Sequence, residues 1–169
     1  CFGFGQVARN FVKKLNSENI EVKLSITSRK SKNEIDKSLK GIFFKFDGQF
    51  FEKDLINNLK KADHILISIP PVNGEDLVIK NFSRHLSQMK PKWITYLSAT
   101  SVYGNHNGAW VDEKSKTNPT SENGIQRLVA ENLWLSTCKK FNLPIQIFRL
   151  SGIYSNANNI LQRLKLGTA

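Results

Sequence analysis

Cysteine is nearly absent. Cys1 and Cys138 are the only two in 169 residues, too few and too isolated for a disulfide framework or a thiolate zinc site. Their scarcity fits a reducing cytoplasm. No apolar run approaches the ~18 residues that a membrane span needs, and no charged-then-apolar leader opens the sequence. Acidic residues are short as well, 14 against 25 Lys and Arg, for a formal net charge of +11. Such a balance can mark a nucleic-acid partner. Here the basic residues are scattered, with pairs such as Lys13-Lys14, Lys60-Lys61 and Lys139-Lys140 but no basic arm. Nucleic acid and membrane are therefore not the expected partners, and an anionic small molecule suits the same field. Internal repeats, low-complexity tracts and linkers are also missing, which leaves one domain. Two further absences concern the ends. No Met begins the chain, and Cys1-Phe2 is only the stub of a strand, since strands run about five or six residues. At the other end Leu164-Lys165-Leu166-Gly167-Thr168-Ala169 stops without a closing element. A domain truncated at both ends is the expectation.

A hydrophobic fraction of 40% with 11 Phe marks a globular chain. Its organising stretch is the first dozen residues, in which Gly3, Gly5 and Ala8 form Gly-x-Gly-x-x-Ala at the start of an amphipathic helix carrying Val7, Ala8, Phe11, Val12 and Leu15. In a dinucleotide-binding turn the first glycine permits the tight strand-to-helix turn and the second lets backbone approach a pyrophosphate. The third small residue lets the helix pack closely on the sheet. An ordinary tight turn also uses glycines, so context matters. A strand expected over Glu21 to Thr27, with Val22, Leu24 and Ile26 on one face, completes the β-α-β unit the motif requires. Gln6 and Val7, in the first helical turn, are candidate cofactor contacts with Gly3 and Gly5.

A Rossmann site places an acidic residue about 20 positions beyond the third small residue to hold the ribose 2′-OH. Counting from Ala8 leads to Ser28, flanked by Arg29 and Lys30, with Lys32 beyond and no acid until Glu34. Ser28 and Arg29 suit a 2′-phosphate, so NADP(H) is expected in preference to NAD(H), the alternative being a solvated basic loop.

Further along, Gly41 to Asp47 reads as a strand closed by a turn at Asp47-Gly48, where Asp47 either borders the adenine or caps the turn. Glu52 to Lys61 reads as a helix with Leu55, Ile56 and Leu59 inward. The nearly continuous apolar run Asp63 to Ile69 suits a parallel strand covered on both faces, stopped by Pro70-Pro71. Ser68, Ile69 and Pro70 at its carboxyl end are candidate cofactor contacts. A helix from Glu75 to Met89 places Val78, Ile79, Phe82, Leu86 and Met89 on one stripe with His85 beside it. The strand Lys92 to Leu97 runs into Ser98-Ala99-Thr100-Ser101-Val102-Tyr103-Gly104, where hydroxyls crowd the strand end and the substrate side of a site is expected. Asn105 to Asn123 is a long polar connection, a length that is usually functional or disordered. A helix from Gly124 to Phe141, with Ile125, Leu128, Val129, Leu133, Trp134 and Cys138 as its apolar side, and a strand from Pro144 to Leu150 follow. Strands and helices alternating throughout predict an α/β fold, a Rossmann-type doubly wound parallel sheet with helices on both faces.

The run Ser98 to Gly104 and the loop Gly108-Ala109-Trp110-Val111-Asp112-Glu113 resemble the extended and atypical short-chain dehydrogenase/reductases, the NAD-dependent epimerase/dehydratase group. Pro70-Pro71, Arg127-x-x-x-Glu131 and Arg149-Leu150-Ser151-Gly152-Ile153-Tyr154 match as well, over essentially the whole chain. The resemblance implies hydride chemistry with NAD(P) on a small polar or nucleotide-sugar-type substrate, pairing of two copies through the two late helices, and a C-terminal substrate-binding region missing here. It also implies a strand-end Ser or Thr that polarises the substrate oxygen, a helix Tyr as acid/base, and a Lys four residues later that lowers the phenol's pKa and holds the ribose. This chain departs at all three places, with Ala99, Asn123 and Arg127. An amide cannot replace a phenol and a guanidinium cannot donate a proton at neutral pH. Ser98, Thr100, Tyr103 and Arg127 are the catalytic candidates that remain, with Arg127 also on the ribose side. Ser101, His106, Glu113 and Tyr154 are nearby substitutes. A non-catalytic dinucleotide sensor or partner-binding module is the rival reading.

Overall fold

The computed structural model describes residues 1–29, 40–155 and 159–167. Lys30, Lys32 and Glu34 of the basic loop lie outside the described residues, as do Thr168 and Ala169. The elements run α1 (Gln6–Ser17), β1 (Ser25–Ser28), β2 (Ile42–Lys45), α2 (Asp54–Lys60), β3 (His64–Ile67), α3 (Leu77–Leu86), β4 (Trp93–Ala99), α4 (Glu122–Phe141), β5 (Ile145–Leu150) and α5 (Ile160–Lys165), with a short 3₁₀ turn at Thr100–Val102 between β4 and α4.

Among the described residues all strand pairs are parallel: β1 with β2, β3 with β4, and β4 with β5. The stub Cys1-Phe2 joins the two groups. The Cys1 carbonyl accepts from the Thr27 amide at 2.9 Å, while Phe2 donates to the Leu66 carbonyl and accepts from the Ser68 amide, both at 2.8 Å. Two residues thus make one continuous sheet in the order β2, β1, the 1–2 segment, β3, β4, β5. Among the described helices, α1 covers one face, where Ala8 packs on Leu66 and Leu97. The others that pack on the sheet cover the opposite face, with Leu55 and Leu59 of α2, Phe82 and Leu86 of α3, and Ala130, Trp134 and Cys138 of α4 over Ile65, Ile67, Ile94 and Tyr96. Covering on both faces explains why Ile65, Leu66 and Ile67 of β3 are apolar in succession.

Several sequence expectations are corrected. The strand expected from Glu21 shrinks to Ser25–Ser28 and leaves Val22 exposed, because the 1–2 segment pairs with only its last residues. Phe11 on α1 is exposed rather than inward. The late helix begins at Glu122, two residues early, so Asn123 lies in its first turn with Ser121 as N-cap, its side chain accepting the Gly124 amide at 3.2 Å. Its apolar side also divides. Ala130, Trp134 and Cys138 face the sheet, whereas Ile125, Val129 and Leu133 face solvent. Periodicity could not separate two apolar rows on one helix. Finally, α5 closes the described chain where no element was expected.

Candidate functional site

From the 1–2 segment the chain moves outward through β1 and β2, then crosses back to β3 on the other side. The strand order therefore reverses between the 1–2 segment and β3, and open α/β sheets bind ligands at the carboxyl ends of strands beside such a reversal. Gly3 to Gly5 and Ser68 to Pro70 follow those two strand ends. Gly3 has φ of +80°, and a Cβ there would lie 2.5 Å from the Ile69 Cγ2 and 3.2 Å from the Ile69 amide nitrogen. Only glycine combines that backbone with that closeness. Its amide donates to the Thr27 hydroxyl at 3.0 Å. Thr27 is a turn-setting residue that sequence reading passed over, its one signal being a hydroxyl at the carboxyl end of a strand.

Gly5 is different. It precedes α1 with an extended backbone, φ −76° and ψ −168°, and makes no side-chain cap. A Cβ at Gly5 would meet only the Ser68 Oγ, at 3.9 Å, so nothing inside the protein requires glycine there. No acidic residue sits in the first turn of α1. Gln6 in that turn has its Nε2 buried with no hydrogen-bond partner among the described residues, a donor with a desolvation cost and no acceptor there. Val7 packs beside Ala8 under the turn. At the end of β1, Ser28 is half-buried and Arg29 exposed. Asp47 is exposed, and its Oδ1 accepts from the amides of Gln49 at 3.0 Å and Phe50 at 2.8 Å. Those backbone donors, Phe50 first, hold its carboxyl below the usual range.

A second cluster occupies the end of β4. Ser98 is buried and its Oγ has no hydrogen-bond partner among the described residues. Ala99 ends the strand, and Thr100 and Ser101 are exposed in the 3₁₀ turn. Tyr103 is buried below it. The polar connection beyond is shaped: Gly104 bridges to Asn118, the His106 ring meets the Lys116 carbonyl at 3.1 Å, and Asp112 accepts from the Ser115 hydroxyl at 2.8 Å. The Ser115 hydroxyl, ahead of the Lys114 amide, keeps the Asp112 carboxyl low. Trp110 and Glu113 in this loop, and Tyr154 beyond β5, are exposed.

Arg127 turns inward. Its Nη1 donates to the Leu97 carbonyl at 2.8 Å and to the Tyr96 hydroxyl at 3.2 Å, with its guanidinium over the Tyr96 ring. Burial pushes the Tyr96 phenol up to about 12 against the pull of Arg127. The neighbouring polar groups were not assigned roles from sequence. Asp76 caps α3 through the Val78 and Ile79 amides and accepts the Trp134 indole. Burial raises its carboxyl despite those donors. Glu131, buried, accepts from Arg149 Nε at 3.1 Å and Nη2 at 2.8 Å, which holds the guanidinium above its ordinary value. An Asp directly before an apolar helical run is an N-cap signal that could have found Asp76. Nothing local links Glu131 to Arg149.

These features define a Rossmann-type domain with a glycine turn at the sheet's switch point and a hydroxyl-lined strand end beside it. No family model matches the sequence, and no curated protein matches it. Solved structures do. A functionally unknown conserved protein from Silicibacter pomeroyi aligns with 32% identity over 96% of this chain and 55% of its own, at a TM-score of 0.78. A UDP-glucuronic acid 4-epimerase from Bacillus cereus in complex with NAD aligns at 20% identity, covering 89% of this chain and 54% of that one, with a TM-score of 0.70. A dTDP-glucose 4,6-dehydratase from Bacillus anthracis in complex with NAD aligns at 16% identity over 98% and 60%, with a TM-score of 0.73. The chain thus shares its fold with these proteins, a 4-epimerase and a 4,6-dehydratase among them, and spans little more than half of their length. Among the described residues no helix is long and apolar enough to cross a membrane, and no group of three or more His, Cys, Asp or Glu could hold a metal ion.

Proposed function

We propose that this is a nicotinamide-dinucleotide-binding domain of the epimerase/dehydratase kind, serving an NAD(P)-dependent reaction on a small polar or nucleotide-sugar-type substrate with a non-standard proton-transfer apparatus. The observation that carries it is the Gly3 to Gly5 turn opening α1 at the reversal of strand order. The residues present fit the cofactor: the buried Gln6 amide lacks an acceptor among the described residues, and Gly5 leaves open space that a Cβ would enter toward Ser68. Gly3, Gly5, Gln6 and Val7 would hold the pyrophosphate, and Ser68, Ile69 and Pro70 would border the bound molecule. Ser28 and Arg29 would read a 2′-phosphate, so NADP(H) is preferred and NAD(H) accepted, although the epimerase and dehydratase neighbours are NAD complexes.

Bound there, the nicotinamide would supply hydride exchange with a substrate carbon. The chain's own residues orient the substrate and manage protons. Thr100 offers an exposed hydroxyl and Ser98 a buried one at the strand end. Ala99 offers none, and the Asn123 amide hydrogen-bonds without exchanging a proton. Proton transfer therefore falls to Tyr103, His106 or Glu113 rather than to a Tyr-Lys pair. One observation favours the non-catalytic reading: Arg127, at the position of the Lys, spends its guanidinium on Tyr96 and Leu97. The solvent-facing row Ile125, Val129 and Leu133 supports pairing of two copies through the late helices, checked by sedimentation.

A titration of NADPH and NADH, followed by tryptophan quenching or calorimetry, tests the proposal. Tighter binding of NADPH is expected. Tighter binding of NADH overturns only the 2′-phosphate assignment, and no binding of either overturns the cofactor reading.

A further inference from the structure

The Glu131–Arg149 pair lies outside the glycine turn, yet it reaches the strand-end cluster. Glu131 on α4 holds the Arg149 guanidinium by three hydrogen bonds between 2.8 and 3.3 Å. The other side of that guanidinium covers the Tyr103 ring, 4.8 Å from its centroid. Arg149 is in parallel register with Ser98, so both side chains leave the sheet on one face, and the Ser98 Oγ there has no partner among the described residues. Tyr103 is the point from which the long loop departs. Its amide donates to the Thr100 carbonyl at 3.0 Å and closes the 3₁₀ turn. Its carbonyl accepts from the Asn118 amide at 3.1 Å and closes the loop base, while the His106 ring meets its ring edge-on at 6.4 Å. At Gly104 the packing is so close that a Cβ would lie 1.8 Å from the Asn118 carbonyl oxygen.

We propose that Arg149 is a positioning residue: locked by Glu131, its planar guanidinium fixes Tyr103, and through Tyr103 it fixes the Thr100 turn and the base of the 104–118 loop as the substrate-side wall of the cofactor site. The geometry suits a guanidinium specifically, since a planar fork can take a carboxylate at its edge and an aromatic ring on its face at once, which an ammonium cannot. The anchoring is independent of any ligand. Its consequence for binding rests on the cofactor reading above.

Arg149→Lys keeps the charge against Glu131 but removes the planar face, Tyr103→Leu removes the ring, and Tyr103→Phe keeps it. Hydrogen exchange and binding of NADP+, NAD+ and ADP are measured on each. Arg149→Lys and Tyr103→Leu are expected to raise exchange across residues 103–118 while leaving residues 3–12 as in wild type. They should weaken dinucleotide binding about ten-fold, as loss of a desolvated cation–ring contact does, with ADP binding unchanged. Tyr103→Phe keeps the ring under the guanidinium and loses only the phenol's hydrogen bond with Arg149, so it should change loop exchange and dinucleotide binding by less than Tyr103→Leu does. The proposal is overturned if loop exchange does not change, if exchange rises everywhere and ADP weakens in step with the dinucleotides, or if Tyr103→Phe behaves like Tyr103→Leu. A wild-type protein that binds no nucleotide overturns the cofactor reading instead, and the exchange data still judge the anchoring.

Discussion

The Trp134 indole nitrogen, at the middle of α4, donates to the Asp76 Oδ2 at 2.8 Å, while Oδ1 of the same carboxylate caps α3. One buried side chain therefore fastens two of the helices that cover the same face of the sheet. Asp76→Ala removes the cap and leaves the indole N–H unpaired, and is expected to cost about 2–4 kcal/mol. Trp134→Phe leaves one carboxylate oxygen unpaired and enlarges the core, at about 2–3 kcal/mol. Urea denaturation of both variants checks this.

Burial raises the Asp76 carboxyl above its unfolded value. A group raised on folding contributes stability that is full below the unfolded pKa, about 3.9 for Asp, and lost as pH rises through the folded value. The stability of wild type relative to Asp76→Asn should therefore fall as pH rises from about 4. A difference that grows with pH would contradict the direction of the shift. Asp47 and Asp112 carry the opposite sign, and their contributions are lost toward acid.

The two glycines of the turn should respond differently. Gly3→Ala meets Ile69 in a backbone that side chains rarely adopt and should lose about 1–3 kcal/mol of stability. Gly5→Ala has room and ordinary dihedrals. It should cost about 1 kcal/mol or less while weakening dinucleotide binding at least about ten-fold, because the pyrophosphate needs that close approach. Thermal melts beside binding titrations separate the two.

Arg29→Ala is expected to weaken NADPH binding by about ten-fold or more and to leave NADH nearly unchanged, as loss of a charge-assisted phosphate contact should. Equal effects on both cofactors would remove Arg29 from the 2′-phosphate.

Arg127→Met strips the Tyr96 hydroxyl and the Leu97 carbonyl of their donor and should cost about 1–3 kcal/mol of stability. If Arg127 also serves the ribose, dinucleotide affinity falls by more than ADP affinity in the same variant. Calorimetry with both ligands distinguishes the interior role from the cofactor role.

The sequence by itself determined the alternation of strands and helices, the glycine turn at Gly3 and Gly5, and the stripe on α3 where Val78, Ile79, Phe82 and Leu86 are all buried, with Met89 buried just beyond the helix. These are local properties: a hydrophobic period, and a turn that at Gly3 only glycine can make. Hydroxyls at the end of β4 were legible for the same reason, since they follow directly on an apolar strand. Only the tertiary structure decided which row of α4 faces the sheet, because Ile125, Val129 and Leu133 differ in nothing chemical from residues that are covered. It alone joined Cys1-Phe2 to both halves of the sheet, turned Arg127 toward Tyr96, and set Arg149 between Glu131 and Tyr103. Those partners lie between 18 and 66 residues apart, and a side chain's direction across such a distance is set by strand register and helix packing rather than by its neighbours in the chain.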